Sequence, residues 1–213
     1  MVSCLVRVLK ADMDGLAAAA AVVSNGGIIC YPTDTVYGLG CNPLNTLAIE
    51  KVIKAKGSRT KTMPVLVGGL EDAERIAHFS GGARRLAKKF WPGPLTIVLP
   101  AKEAVPQLLA PERTVGVRSP KHPICLDLLG LCSGKLVGTS ANLNGKPPAI
   151  EAGDAVISLG DSVDLVLDGG KSPIGVSSTV ADLTKDRLII LREGPIAKRE
   201  IMQCLKSRGQ DSY

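Results

Sequence analysis

Several stretches of this chain end an apolar run in side chains able to bind or polarise a ligand. Ile28-Ile29-Cys30-Tyr31 gives way to Pro32-Thr33-Asp34-Thr35, with Gly38 and Gly40 close behind. Proline halts ladder pairing, and glycine lets the backbone turn or come close to a ligand. Thr33, Asp34 and Thr35 are therefore expected at the mouth of the fold. An ordinary loop capping a helix would have a similar composition. The recurrence of the pattern favours the ligand reading, because Val115-Gly116-Val117-Arg118, Leu136-Val137-Gly138-Thr139-Ser140-Ala141-Asn142, Val176-Ser177-Ser178-Thr179 and Ile189-Ile190-Leu191-Arg192 share it. In open α/β sheets such strand ends converge on one binding site.

The side chains at these tips suit an anion. Thr33, Ser140 and Ser178 supply hydroxyls, Asn142 an amide that donates and accepts, and Arg118 and Arg192 planar cations. An arginine that closes an apolar run needs a negative partner, either a ligand or a salt bridge to Asp34, Asp182 or Glu193. Lys54, Lys56, Arg59 and Lys61 form the densest cationic loop. Lys56 with Arg59 would clamp the charge that develops in phosphoryl or nucleotidyl transfer. A solvated helix terminus, where cations offset the macrodipole, is the competing explanation. Asn144-Gly145-Lys146-Pro147-Pro148 adds backbone N–H groups and one lysine to the Gly138–Asn142 stretch.

Other chemistries lack their parts. The only histidines are His78, in a helical pattern, and His122, in a Pro-Lys-His-Pro connection, and no Gly-x-Ser-x-Gly elbow is present. Neither a Walker-type loop nor a Gly-x-Gly-x-x-Gly helix opening occurs, so a nucleotide site must be assembled from distant segments. Cys4, Cys30, Cys41, Cys125, Cys132 and Cys204 are scattered without zinc-site spacing, which suits small core residues in a reducing compartment.

The elements that must position these groups read as an α/β alternation. Helices are expected from Asp12 or Asp14 through Val23, then over 46–56, 71–78, 83–90, 123–131, 152–159 and 197–206. Strands are expected over 28–31, 63–67, 95–99, 115–117, 136–137, 165–167, 179–181 and 188–191. The count predicts a twisted, mixed β-sheet flanked by helices. With 213 residues, 45% of them apolar, and no linker or compositional shift, the expectation is one domain over 1–213. The alanine-rich run Leu16–Val23 is far shorter than the roughly 20 residues of a membrane span, which predicts a cytoplasmic protein without a membrane partner. Net charge +6 favours an anionic partner such as a nucleotide or RNA, while 3% aromatic content argues against a base-stacking platform.

Seven segments can be taken together: YPTDTVYGLG at 31–40, KGSRTKTMPVLV at 56–67, WPGPLTIVLP at 91–100, TVGVRSPKHP at 114–123, GTSANLNGKPP at 138–148, SSTVADL at 177–183 and LREGPI at 191–196. In order and spacing this resembles the YrdC/Sua5 family of threonylcarbamoyl-adenylate synthases. The resemblance implies a YrdC-like fold with a deep cationic cavity. It also implies an enzyme that condenses L-threonine, bicarbonate or CO2, and ATP with Mg2+ into threonylcarbamoyl-AMP and pyrophosphate. A downstream tRNA threonylcarbamoyltransferase would consume the product. Carried over by motif, Thr33, Thr114, Ser140 and Ser178 would surround threonine, and Lys56, Arg59, Arg118, Asn142 and Arg192 would surround ATP. Met63 and Ile150 fall where further nucleotide contacts are made through backbone or packing. The resemblance assigns no metal ligands.

The chain departs from the pattern in two places. Lys56-Gly57-Ser58-Arg59 carries one residue more than the usual Lys-x-Arg, which leaves Lys54, Lys56 and Lys61 open as the family lysine. The chain also ends soon after LREGPI, as expected of the short type without an additional C-terminal domain. Two alternatives stand beside this reading. One is a carbamoyl-adenylating module of hydrogenase maturation, which would need fused acylphosphatase and zinc-finger segments. The other is a double-stranded RNA or tRNA binder without catalysis, whose affinity would fall steeply with salt.

Overall fold

The computed structural model describes residues 6–57, 63–185 and 187–206. The elements run β1 (Arg7–Lys10), α1 (Met13–Ser24), β2 (Ile29–Tyr31), β3 (Gly38–Gly40), α2 (Thr46–Ala55), β4 (Val65–Val67), α3 (Leu70–Glu74), α4 (Gly81–Phe90), β5 (Leu95–Pro100), β6 (Thr114–Arg118), α5 (Pro123–Leu131), β7 (Lys135–Val137), β8 (Thr139–Ser140), α6 (Ala152–Leu159), β9 (Leu165–Asp168), β10 (Thr179–Asp182), β11 (Ile189–Arg192) and α7 (Lys198–Lys206).

Local chemistry explains most boundaries. Asp12 starts α1 by accepting from the Gly15 N–H, Asn45 and Ser80 cap α2 and α4 in the same way, and Glu151 with Asp154 forms a reciprocal capping box on α6. Gly26 ends α1 with a φ of 75° that a side chain would disfavour. The helix expected over 71–78 stops at Glu74. Beyond it the chain must extend, because Ala77 bridges Ala101 and the His78 N–H donates to the Pro100 carbonyl.

The fold is mixed α/β, as its pattern predicts, but the strands divide between two sheets. One has the order β1-β9-β2-β3-β8 and the other β11-β10-β5-β6-β4-β7. In the first, β1 and β2 run parallel to β9, and β3 is antiparallel to both β2 and β8. In the second, β10 and β5 run parallel to each other, and each is antiparallel to its outer neighbour, β11 or β6. The starts of β5 and β10 therefore lie at the same edge as the ends of β6 and β11, which brings distant segments together.

Apolar burial fixes this arrangement. Leu16, Ala19 and Val23 of α1 pack with Leu128 and Leu129 of α5 and with Ile29, Leu165 and Leu167 of the first sheet. A larger core joins Leu86 and Ala87 of α4 and Ile201 of α7 to Leu95, Ile97 and Val117 of the second. Each such aliphatic side chain contributes roughly 1.5–3 kcal/mol when fully buried. Gly38 and Gly40, expected to let the backbone turn or approach a ligand, form the short strand β3. A Cβ at either position would meet the ring of Tyr31, whose hydroxyl donates to the Val137 carbonyl at 2.7 Å and links the two sheets. Among the described residues no helix is long and apolar enough to cross a membrane.

Candidate active site

A cavity of about 120 Å3 opens between the sheets, and its walls include Thr33, Thr35, Thr96, Arg118, Ser140, Ser178 and Arg192. Five of the residues expected from sequence thus meet: Thr33, Arg118, Ser140, Ser178 and Arg192.

Thr33, Asp34 and Thr35 are not at a mouth but inside, each 3% exposed or less. Burial demands partners for their polar atoms, and these form one directed chain. The Arg118 guanidinium donates through Nη1 to Thr35 Oγ1 at 2.8 Å and through Nε to the Gly93 carbonyl at 3.0 Å. Thr33 Oγ1 gives its proton to the Val36 carbonyl at 2.6 Å, so the contact of 3.1 Å between the two threonine hydroxyls must be a donation from Thr35 to Thr33. Thr33 also accepts from the Thr35 and Val36 backbone N–H groups, so its hydroxyl is spent on shaping the loop.

Arg118 Nη2 pairs with Asp34 Oδ1, and Asp34 Oδ2 is buried without a partner. The salt bridge weighed from sequence therefore exists, and the same guanidinium also faces the cavity. Burial lowers the Arg118 pKa from its usual value, and Asp34 opposes that shift.

Arg192 is held differently. Its Nε donates to the Ser178 carbonyl at 2.9 Å and its Nη2 to Ser178 Oγ at 3.0 Å, and among the described residues no carboxylate pairs with it. Partial burial lowers its pKa, and Arg118 adds to the fall. Two guanidiniums with one carboxylate between them leave an excess positive charge at the cavity.

The remaining expected residues lie elsewhere. Lys56 is buried, and its Nζ donates to the Ser140 carbonyl at 2.7 Å and the Asn142 carbonyl at 3.0 Å, tying the end of α2 to the β8 turn. Burial pulls its pKa down to about 8, against a smaller opposing effect from Cys30. Asn142 Nδ2 donates to the Leu143 and Lys146 carbonyls and holds the following loop, while Oδ1 is buried without a partner. Both residues shape the site's wall and neither lines the cavity.

Thr114 is not brought to the cavity. It opens β6 opposite Pro100, about 13 Å from Arg118 at roughly 3.3 Å per strand residue. Strand geometry puts the two ends of one strand at opposite edges of the sheet. Met63 is a core residue next to Pro64, which lines the cavity. Ile150 borders a separate apolar groove with Leu143, Pro147 and Ile157, and exposed Lys54 borders a polar hollow with Asp161 and Asp164. Arg59 and Lys61 lie outside the described residues.

Thr96, which reasoning from sequence missed, lines the cavity 2.8 Å from Ser178 Oγ. A lone hydroxyl inside the apolar run Leu95-Thr96-Ile97-Val98-Leu99 was its only signal. Cys30, Cys41, Cys125 and Cys132 are free thiols. Burial pushes Cys30 and Cys41 up to about 12, which makes them unreactive. His122 caps no N–H with its side chain at the start of α5, and its buried Nδ1 has no partner. Among the described residues no cluster of three His, Cys, Asp or Glu side chains could hold a metal ion.

The chain is a mixed α/β protein with a small, hydroxyl-lined, arginine-bearing cavity between its sheets. The Sua5/YciO/YrdC family model, described as "Telomere recombination", matches residues 21–194, and the chain belongs to that family. It is 39% identical to a threonylcarbamoyl-AMP synthase of Pyrococcus abyssi over 86% of this chain and 55% of the relative. It is 38% identical to a threonylcarbamoyl-AMP synthase of Bacillus subtilis over 87% of this chain and 55% of the relative. The chain thus spans about half the length of these curated relatives. The crystal structure of P. abyssi Sua5 complexed with L-threonine superposes with a TM-score of 0.89 at 34% identity, covering 95% of this chain and 61% of that one.

Proposed function

We propose that this chain is an L-threonylcarbamoyladenylate synthase acting in the cytoplasm. The observation that carries the reading is the small cavity in which Arg118 and Arg192 stand among Thr35, Thr96, Ser140 and Ser178. An amino acid of threonine's size fits such a space, with guanidinium groups for its carboxylate and hydroxyls for its polar side chain. Relatives named threonylcarbamoyl-AMP synthase and the threonine-bound Sua5 structure support the same assignment.

In this reading the neutral amine of threonine takes up CO2 with loss of a proton to solvent, or bicarbonate with loss of water, to form a carbamate. A carbamate oxygen then bonds to the α-phosphorus of ATP as the bond from that phosphorus to the β-phosphate oxygen breaks, releasing pyrophosphate. No enzyme nucleophile is needed. The protein's task is to hold two anions against each other and to meet the charge that develops, where fixed cations in a site shielded from water are most effective. Arg118, which the resemblance put beside ATP, is locked by Asp34 and Thr35 inside the cavity and in this reading fixes the amino acid instead. Arg192, with no carboxylate partner, is the cation left for the nucleotide side. Arg59 would add to it from outside the described residues.

Lys56 and Asn142 act through the backbone they hold at 140–146. Mg2+ would arrive on the triphosphate, since the described residues offer it no cage. The adenylate is a mixed anhydride, suited to a threonylcarbamoyltransferase acting on tRNA.

The test is incubation with ATP, Mg2+ and bicarbonate, with and without L-threonine, followed by pyrophosphate release and mass spectrometry. Threonine-dependent pyrophosphate together with the mass of threonylcarbamoyl-AMP is expected. No turnover, combined with salt-sensitive binding of duplex RNA, would replace this reading with the RNA-binding one.

A further inference from the structure

We infer that Thr96 is a positioning residue for the amino-acid substrate, acting by fixing the Ser178 hydroxyl. The inference rests on the proposed function and extends it to a residue outside the seven resembling segments' assigned set.

Thr96 and Ser178 come from distant parts of the chain, each 3% exposed, and their hydroxyl oxygens lie 2.8 Å apart at the cavity wall. Parallel pairing puts Val180 opposite Thr96, which places Ser178 just before β10 at the starting edge of β5. Ser178 Oγ already accepts from Arg192 Nη2 at 3.0 Å. The two hydroxyls carry two protons, and the contact between them uses one. Among the described residues neither oxygen has a further acceptor, so one O–H is left at the cavity wall. A buried donor without an acceptor is unfavourable, and an acceptor oxygen on the ligand relieves that cost.

Either direction of the shared proton gives the same count. If Thr96 donates, both lone pairs of Ser178 are taken and its own O–H is free for the ligand. If Ser178 donates, the free O–H belongs to Thr96. The Thr96 rotamer is fixed by shape, because its Cγ2 sits over Gly116, where an added Cβ would lie 3.1 Å away. With the methyl seated there, the hydroxyl is directed to Ser178. A residue with a methyl in place of the hydroxyl would leave Ser178 ordered by Arg192 alone.

The experiment compares wild type, Thr96→Val and Thr96→Ser by calorimetric titration with L-threonine, by KM and kcat for each substrate, and by thermal unfolding. Thr96→Val is expected to weaken L-threonine binding about 10-fold, the scale of one hydrogen bond, because the Ser178 O–H is no longer held toward the ligand. KM for threonine should rise while kcat and KM for ATP stay within about 2-fold, and Thr96→Ser should recover most of the affinity, giving a pattern that a general packing defect would not produce. If Thr96→Val fails to fold, Thr96→Ser against Thr96→Ala carries the comparison. Threonine binding by Thr96→Val equal to wild type would overturn this inference alone, as would a serine variant as weak as valine. A wild-type protein that binds no L-threonine would overturn the functional reading, and this inference with it.

Discussion

Arg118 and Arg192 reach one cavity from opposite sides of the β5–β10 pair, and their surroundings differ. Arg118 is buried, paired with Asp34, and further held by Thr35 and the Gly93 carbonyl. Arg192 is exposed on β11, has no carboxylate partner among the described residues, and is aimed only by Ser178. A buried charge removed from its pair leaves the partner charged in a medium of low polarity, so fold and site depend on Arg118 together. A cation at the rim costs the fold little and keeps its charge for a ligand. One arginine is part of the scaffold, and the other is the cation that the proposed function assigns to ligand binding.

The strongest way to break this contrast is Arg118→Ala. It should lower stability by about 3–5 kcal/mol in urea unfolding and reduce pyrophosphate release more than ~100-fold. Arg192→Ala should approach the same ~100-fold loss of turnover while shifting stability by no more than about 0.5 kcal/mol. Equal destabilisation by the two variants would erase the distinction.

Lys56 sharpens the comparison from a third side, as a buried cation satisfied by carbonyls alone. Its folded-state pKa of about 8 lies below the ordinary 10.5, so the folded protein releases this proton before the unfolded chain does. Burial therefore penalises the charged lysine fully below pH 8, and the penalty is relieved as pH rises from about 8 to 10.5. The buried thiols act in the opposite sense, because the unfolded chain loses their protons first. Subtracting the stability of Lys56→Met from that of wild type cancels the contribution of the thiols other than Cys30, which is coupled to Lys56. That difference should grow with pH across the window, and a flat profile would mean that Lys56 is well solvated.

The smallest effect is expected at Cys41. Its thiol is buried, with a pKa near 12, and it does not line the cavity. Cys41→Ala should keep turnover within about 2-fold in the same assay, and a large loss without unfolding would reopen thiol chemistry.

Much of this was legible in the chain. Helices 123–131 and 152–159 match their expected bounds, since Pro123 at the first turn and the Glu151/Asp154 capping box are local signals. Short elements were less legible. Strand β3 contains two glycines and looks like a turn until the Tyr31 ring that needs their bare backbone is in place. Thr33 and Asp34 were found as polar residues after a strand, but their burial was not, because hydrophilic composition suggests a surface. Thr114 sits in the same segment as Arg118, yet a strand carries its two ends to different edges.

The sequence alone determined which groups were available: two arginines closing apolar runs, hydroxyls at strand tips, no histidine base and no phosphate loop. It determined the α/β alternation as well, since periodicity and caps act over a few residues. Only the tertiary structure decided that Asp34 pairs with Arg118 and that Arg192 meets no carboxylate among the described residues, that Lys56 serves backbone carbonyls, and that Thr96 meets Ser178. Those outcomes depend on strand pairing and sheet packing that bring together segments some 80 residues apart. Such pairing is set by the burial of a whole core, and no local pattern records it.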